Sequence, residues 1–76
     1  MEFKVVGIER KSGEYNGRPY DNTILHCSYA KDGIEDGFAV ASVKVKTERI
    51  EAPIVVGDKV SFYYDQYGNV LQVNIL

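Results

Sequence analysis

Seventy-six residues, 45% hydrophobic and 26% charged, predict one folded domain, 1-76, with a thin core; no apolar run approaches the roughly 18 residues of a membrane span. The start of the chain lacks the charged-then-apolar form of a signal peptide and Cys27 is alone, so a cytoplasmic, reducing setting without an internal disulfide is expected. One Cys and one His cannot supply four metal ligands, and a net charge of −2 argues against a nucleic-acid protein, since electrostatics dominate nonspecific affinity.

Charge is unevenly spread, however. Residues 1–31 carry Lys4, Arg10, Lys11, Arg18 and Lys31 against Glu2, Glu9, Glu14 and Asp21, whereas residues 32–76 carry four bases against seven acids. A fold could hold those acids away from one basic face.

Residues 3–11 are apolar and β-branched enough to read as a strand, and Gly7 inside it suggests a bend or bulge. Asn16-Gly17 is the strongest hairpin signal in the chain, because a type I′ turn needs positive φ at both central residues. Pro19 lacks an N–H and belongs at the mouth of the returning strand, residues 20–30. There Leu25 and Cys27 are expected inside, on the face shared with Thr23 and Tyr29.

Residues 31–37 hold two glycines and three acids and read as a turn region. The third strand, 38–47, points Val43 and Val45 inward and Lys44 and Lys46 to the opposite face. Residues 47–52 suit one helical turn before Pro53. A turn at 56–58 leads to a fourth strand, 59–65, with Val60, Phe62 and Tyr64 on one face. A second hairpin at 65–69, with Gly68 free to take positive φ, leads to a fifth strand, 70–76, with Leu71, Val73 and Ile75 inward. Five short strands, frequent Gly turns and no long helix predict an all-β protein, a small closed or nearly closed five-stranded barrel.

Enzyme signatures are absent: no Gly-rich phosphate loop and no H-E-x-x-H. The serines lack an evident relay, since His26 is the sole histidine, and His26 and Cys27 point to opposite faces of a strand. Neither catalysis nor a cofactor is expected. The aromatic residues are more informative. Phe3, Phe38, Phe62 and Tyr64 suit a core. Tyr15, Tyr20 and Tyr67 lie at hairpin turns, where a ring stacks on a base, packs on its own hairpin or meets another subunit. Arg18 at the turn is the leading phosphate ligand, followed by Arg10, Lys11, Lys44 and Lys46; a solvated strand face is the ordinary alternative for the two lysines.

Ser12-Gly13, then Asn16-Gly17-Arg18-Pro19-Tyr20, then Cys27 seven residues on, resembles the first hairpin of the filamentous-phage helix-destabilising proteins of the gene V type. Gln66-Tyr67-Gly68 and the alternating strand after it resemble their last hairpin. The resemblance implies an OB-like five-stranded barrel, a two-fold homodimer in the host cytoplasm, and cooperative, sequence-independent coating of single-stranded DNA, as in phage DNA replication. It makes Tyr20 the stacking ring of the binding hairpin and Arg18 its basic partner. Tyr67 becomes the ring of a hairpin that reaches toward DNA held by the partner subunit. Ser28 stands where the family has a further stacking Tyr, and Asn74 and Leu76 where it has arginines. The expected function is thus single-stranded DNA binding, with RNA as a variant ligand. The alternative is an OB-like protein–protein module whose acids repel nucleic acid.

Overall fold

A computed structural model describes residues 2–76. Asn16 and Gly17 both take positive φ, 52° and 76°, the requirement of a type I′ turn. The turn joins β1 (Phe3–Tyr15) to β2 (Arg18–Tyr29), and the ladder runs unbroken from Tyr15↔Arg18 down to Ile8↔Leu25. Both strands therefore extend to the turn, further than the apolar pattern indicated. Pro19 is the second residue of β2, opposite Glu14. No outer strand runs beside it, because β3 (Ala39–Lys46) reaches only to Asn22. The missing N–H costs no ladder bond there.

Beyond β3 come a 3-10 turn at Thr47–Arg49, β4 (Lys59–Tyr64) and β5 (Val70–Ile75). The five strands form one antiparallel sheet in the order β3-β2-β1-β4-β5. The protein is all-β, as expected. The sheet curls until β3 and β5 approach one another, but no ladder joins them, so the sheet is not closed. β4 pairs with β1 only at Phe3 and Lys4. Next to them, Val5 donates its N–H to the Asp58 carbonyl and accepts from Gly57 N–H. Residues 12–21 stand clear of the remaining strands as a two-stranded arm. The radius of gyration is 13.5 Å, against about 11.4 Å for a compact chain of this length.

The anticipated irregularity near Gly7 is a bulge. Val5 pairs with Cys27 and Gly7 with His26, leaving Val6 as the extra residue. Val5 and Ile8 consequently lie on the same, inner face as Cys27 and Leu25. A second bulge separates Tyr63↔Gln72 from Tyr64↔Val70. It makes Leu71 the unpaired residue and sends Val70 inward: Val70 is 9% exposed and Leu71 42%. The expected parity of β5 therefore holds at Val73, which packs on the core, and fails at Leu71.

Val5, Leu25, Cys27, Val45, Val60 and Val70 are buried, with Phe3, Val43, Ile50, Ile54, Phe62 and Val73 around them. Burial pushes the Cys27 thiol up from its ordinary value. Phe3 packs on Tyr29 and Phe62 with ring centroids 5.3 and 5.2 Å apart, and Phe62 leans on Tyr64 at 6.4 Å, a half-exposed ring. Phe38 is no core residue; it is 69% exposed. Ala39 takes the inward place opposite Tyr29, so the residue before it and Val40 after it share the outward parity. Among the described residues no helix is long and apolar enough to cross a membrane.

With so few buried side chains, each one matters. Leu25→Ala is expected to destabilise the fold by about 2–5 kcal/mol, a large part of a small domain's stability. Urea denaturation of the two proteins measures it.

Candidate nucleic-acid interface

Cross-strand partners share a face of the sheet, so the register assigns each polar side chain to a side. The outward face carries Lys4, Glu9, Lys11 and Tyr15 from β1, Arg18, Tyr20, Asn22 and His26 from β2, and Ser42, Lys44 and Lys46 from β3. Its cations on these three strands are therefore Lys4, Lys11, Arg18, Lys44 and Lys46, with Lys59 of β4 opposite Lys4, and the one carboxylate on the three strands is Glu9. The Glu9 Oε1 lies 2.5 Å from His26 Nε2, and His26 Nδ1 lies 2.8 Å from Ser42 Oγ. Ser42 thus has the histidine contact that the sequence reading denied it. The three side chains form an exposed link across β1, β2 and β3, lodged beside Gly7, where a Cβ would stand 3.5 Å from the imidazole.

The other side of the arm carries Arg10, Glu14 and Asp21. Arg10 grips Asp21 with two hydrogen bonds, Nε to Oδ1 at 3.0 Å and Nη2 to Oδ2 at 2.5 Å. Asp21 Oδ1 also accepts the Thr47 hydroxyl at 2.8 Å, and Thr47 Oγ1 lies 2.9 Å from Thr23 Oγ1. The Arg10 hydrogen bond, and after it the Thr47 one, hold the Asp21 carboxyl below its ordinary value; Asp21 in turn raises the Arg10 guanidinium. Arg10 is thus engaged in a clasp at the foot of the arm, on the opposite face from Lys11. An exposed ion pair contributes little to stability. Its effect is geometric: it ties β2, next to Tyr20, to the Thr47–Arg49 turn.

Tyr20 lies across Gly13, its partner in the ladder. A Cβ at position 13 would meet the Tyr20 hydroxyl oxygen at 2.8 Å and Cζ at 3.0 Å. Glycine therefore lets the ring rest on the backbone of β1, leaving it 44% exposed. Tyr15, beside Arg18, and Tyr67 are 73% and 79% exposed. The Tyr67 backbone is nonetheless fixed. Asp65 Oδ1 accepts the N–H groups of Tyr67 at 2.8 Å and Asn69 at 2.9 Å, and Gly68 takes φ 83°. The Asn69 bond, first among several causes, lowers the Asp65 carboxyl.

Two adjoining clefts of about 440 and 560 Å³ share Tyr20, Asn22 and Lys46. The first also takes in Lys44, Arg49, Asp65, Asn69, Val70 and Leu71; the second runs along Pro19, Asp21, Thr47 and Glu48. Tyr20, Lys44 and Lys46 are thus brought together. Tyr15, Arg18 and Lys11 lie further along the arm on the same face, and the Tyr67 ring stands apart at the tip of the last hairpin. Sequence reasoning missed Arg49 and Asn22. Arg49 had a signal, the helical turn expected at 47–52, which swings the chain back past β2. A separate groove of about 890 Å³ runs between Phe3, Val6, Tyr29, Phe38 and Val40. Among the described residues no three His, Cys, Asp or Glu side chains gather as metal ligands would. Comparison with protein-family models, curated proteins and solved structures finds no match to this chain.

Two measurements probe the clasp. Asp21 and Asp65 both have carboxyls lowered by folding. Their contribution to stability is present above the unfolded value of about 3.9 and is lost as pH falls through the folded values beneath it. Thermal melts should decline below about pH 4, and more shallowly in Asp21→Asn than in the parent protein. Gly13→Ala should lift the Tyr20 ring off β1, detectable by NMR as loss at position 13 of the upfield ring-current shift that the ring gives the Gly13 α-protons, with the hairpin ladder intact.

Proposed function

We propose that this protein binds single-stranded DNA without sequence selectivity, as a helix-destabilising protein of phage or mobile-element type. The observation that supports this reading is the outward face itself. On β1, β2 and β3, Lys4, Lys11, Arg18, Lys44 and Lys46 share it with Tyr15 and Tyr20, and the one carboxylate there, Glu9, is held by His26. Exposed rings beside cations suit a strand whose phosphates need neutralising and whose bases offer stacking faces. Each stacked base is worth about 1–3 kcal/mol and requires no particular sequence. Arg10 acts in this scheme by placing Tyr20, whereas Arg18, Lys11, Lys44 and Lys46 meet phosphate. Tyr67 offers a further ring at the second hairpin. Tyr29 is spent on Phe3, so β2 ends in Ser28 on the binding side.

A second copy of the chain is the occupant proposed for the groove of Phe3, Val6, Tyr29, Phe38 and Val40, which Glu2, Lys4 and Lys59 also line. Phe38 and Val40, 69% and 73% exposed, lie at the start of β3, whose outer edge has no neighbour. A two-fold axis there would place each copy's Phe38–Val40 segment on the other and cover an open edge. Such a homodimer would repeat the cationic face twice along one strand. The groove also supports the second reading, a protein–protein module, in which the apolar contact is the function and the cationic face is ordinary solvated surface.

Titration of a fluorescent oligo-dT by anisotropy at low salt tests the first reading. Saturable binding by tens of micromolar is expected, and a flat curve there ends the proposal. With about four phosphates neutralised, log K should fall against log salt with a slope near −3; an apolar contact would barely respond. Tyr20→Ala should weaken binding about 5- to 150-fold with an unchanged melt. An RNA oligomer of the same sequence, used as competitor, tells which nucleic acid is preferred. In sedimentation equilibrium Val40→Glu should convert a dimer to a monomer.

A further inference from the structure

Resting on the reading above, we infer that Arg49 is a phosphate-binding residue, and that it closes, within a single chain, a one-nucleotide seat between the arm and the root of the last hairpin. The cleft that holds Tyr20, Lys44 and Lys46 is completed by Arg49, Asn69 and Leu71, with Asp65 as its one carboxylate. Its volume, about 440 Å³, lies in the range of about 300–1,000 Å³ of small-ligand sites. One wall is rigid, because the Tyr20 ring rests on Gly13 and cannot retreat. Another part of the lining is made by a bulge. The slip between Tyr63 and Tyr64 leaves Leu71 without a ladder partner and 42% exposed, an apolar side chain turned out of the core into the cleft that Tyr20 also lines. Bulges re-aim side chains in this way.

The rim of the cleft is cationic on the side of β3. Lys44 and Lys46 alternate along that strand, and the Thr47–Arg49 turn adds Arg49. Among the described residues no carboxylate comes within ion-pair distance of Arg49. Asp65, in the lining of the same cleft, senses it, and Arg49 is the last of the causes that lower its carboxyl. Asp65 Oδ1 is already committed to two backbone N–H groups. The guanidinium is therefore free to fork onto a phosphate, the geometry in which arginine exceeds lysine.

The arm, through Tyr20, and the root of the last hairpin, through Asn69 and Leu71, meet in one cleft within the chain. This differs from what the resemblance implies for the last hairpin, which there serves the partner's DNA. Here the hairpin's root works on the nucleotide held by its own arm, and the strand passes from Arg18 and Tyr15 over Tyr20 to Leu71 within one subunit.

Arg49→Ala and Leu71→Ala, each checked by thermal melt, are titrated with oligo-dT beside the parent and a control, Lys31→Ala, which lines neither cleft. Arg49→Ala should weaken binding about two- to fivefold and make the salt slope shallower by about 0.7. Leu71→Ala should weaken binding at unchanged slope. Parental affinity and slope in Arg49→Ala, with the parent protein binding, overturn the inference and leave the reading beneath it intact; a parent that does not bind removes both. Mixing the Tyr20→Ala and Arg49→Ala proteins decides between one chain and two. A seat built in one chain stays defective in the mixture. A seat shared across a dimer regains parental affinity in one of the two sites of each heterodimer, about a quarter of all sites after random pairing at equal amounts, and that recovery would overturn the single-chain assignment.

Discussion

The single residue inserted at Val6 decides which side of the molecule each group on the arm occupies. Side chains alternate along a strand, so one extra residue reverses the alternation for everything beyond it. Without the bulge, Phe3 and Val5 would share the core side with Gly7, Glu9, Lys11 and Tyr15. With it, Ile8 and Arg10 follow Val5 on the inner side, and Lys11 joins Tyr20, Lys44 and Lys46 outside. The inner side of the arm then collects Arg10, Glu14 and Asp21, where opposite charges satisfy one another. The cationic face exists because the phase changes before the arm begins.

The arm makes a demand that the core cannot meet. Six buried hydrophobic side chains sit under the sheet, and residues 12–21 extend beyond them, so the arm has no apolar underside to fix its direction. Three local devices replace one. A type I′ turn matches the twist of the two strands, the Tyr20 ring covers Gly13, and the bidentate Arg10–Asp21 pair links the stem to Thr47. None contributes much free energy alone. Together they set an angle, which matters more than stability for a surface that must keep a ring and three cations in one groove. Elements of low local stability are also those that adapt to irregular ligands.

Much of the secondary structure is legible in residue types, because turns are written locally. Asn16-Gly17 and Gly68 declare their backbone conformations, and Leu25, Cys27, Val43 and Val45 declare a core side by strict alternation. Gly7 even announces the bulge. What the residues do not announce is a bulge's consequence, since parity depends on which partner each residue meets across the ladder. Arg10 and Lys11 look equivalent in sequence and fall on opposite faces. Leu71 looks more hydrophobic than Val70 and yet yields the core to it, because the slip at Tyr63 and Tyr64 is a property of the pairing. Phe38 lies one residue before a strand whose first inward place goes to Ala39. The cleft is harder still to foresee. Its walls come from β2, β3, the Thr47–Arg49 turn and the last hairpin, and only the curl of the sheet brings them together.

A net charge of −2 and a face suited to phosphate are compatible once distance is considered. Side-chain charges on opposite faces of a two-stranded arm lie roughly 10 Å apart, about one Debye length at physiological salt. A phosphate on the Lys11 and Arg18 side therefore senses Glu14 and Asp21 only weakly, and Asp21 less again because Arg10 neutralises it. What the overall charge does govern is approach from far away, where the whole field acts and salt has not yet screened it. A protein arranged in this way gains little from long-range steering and relies on contact: rings on bases, and cations close to phosphates. Its association should then be slower than that of a basic protein with the same contacts, while its grip, once made, depends on the face alone.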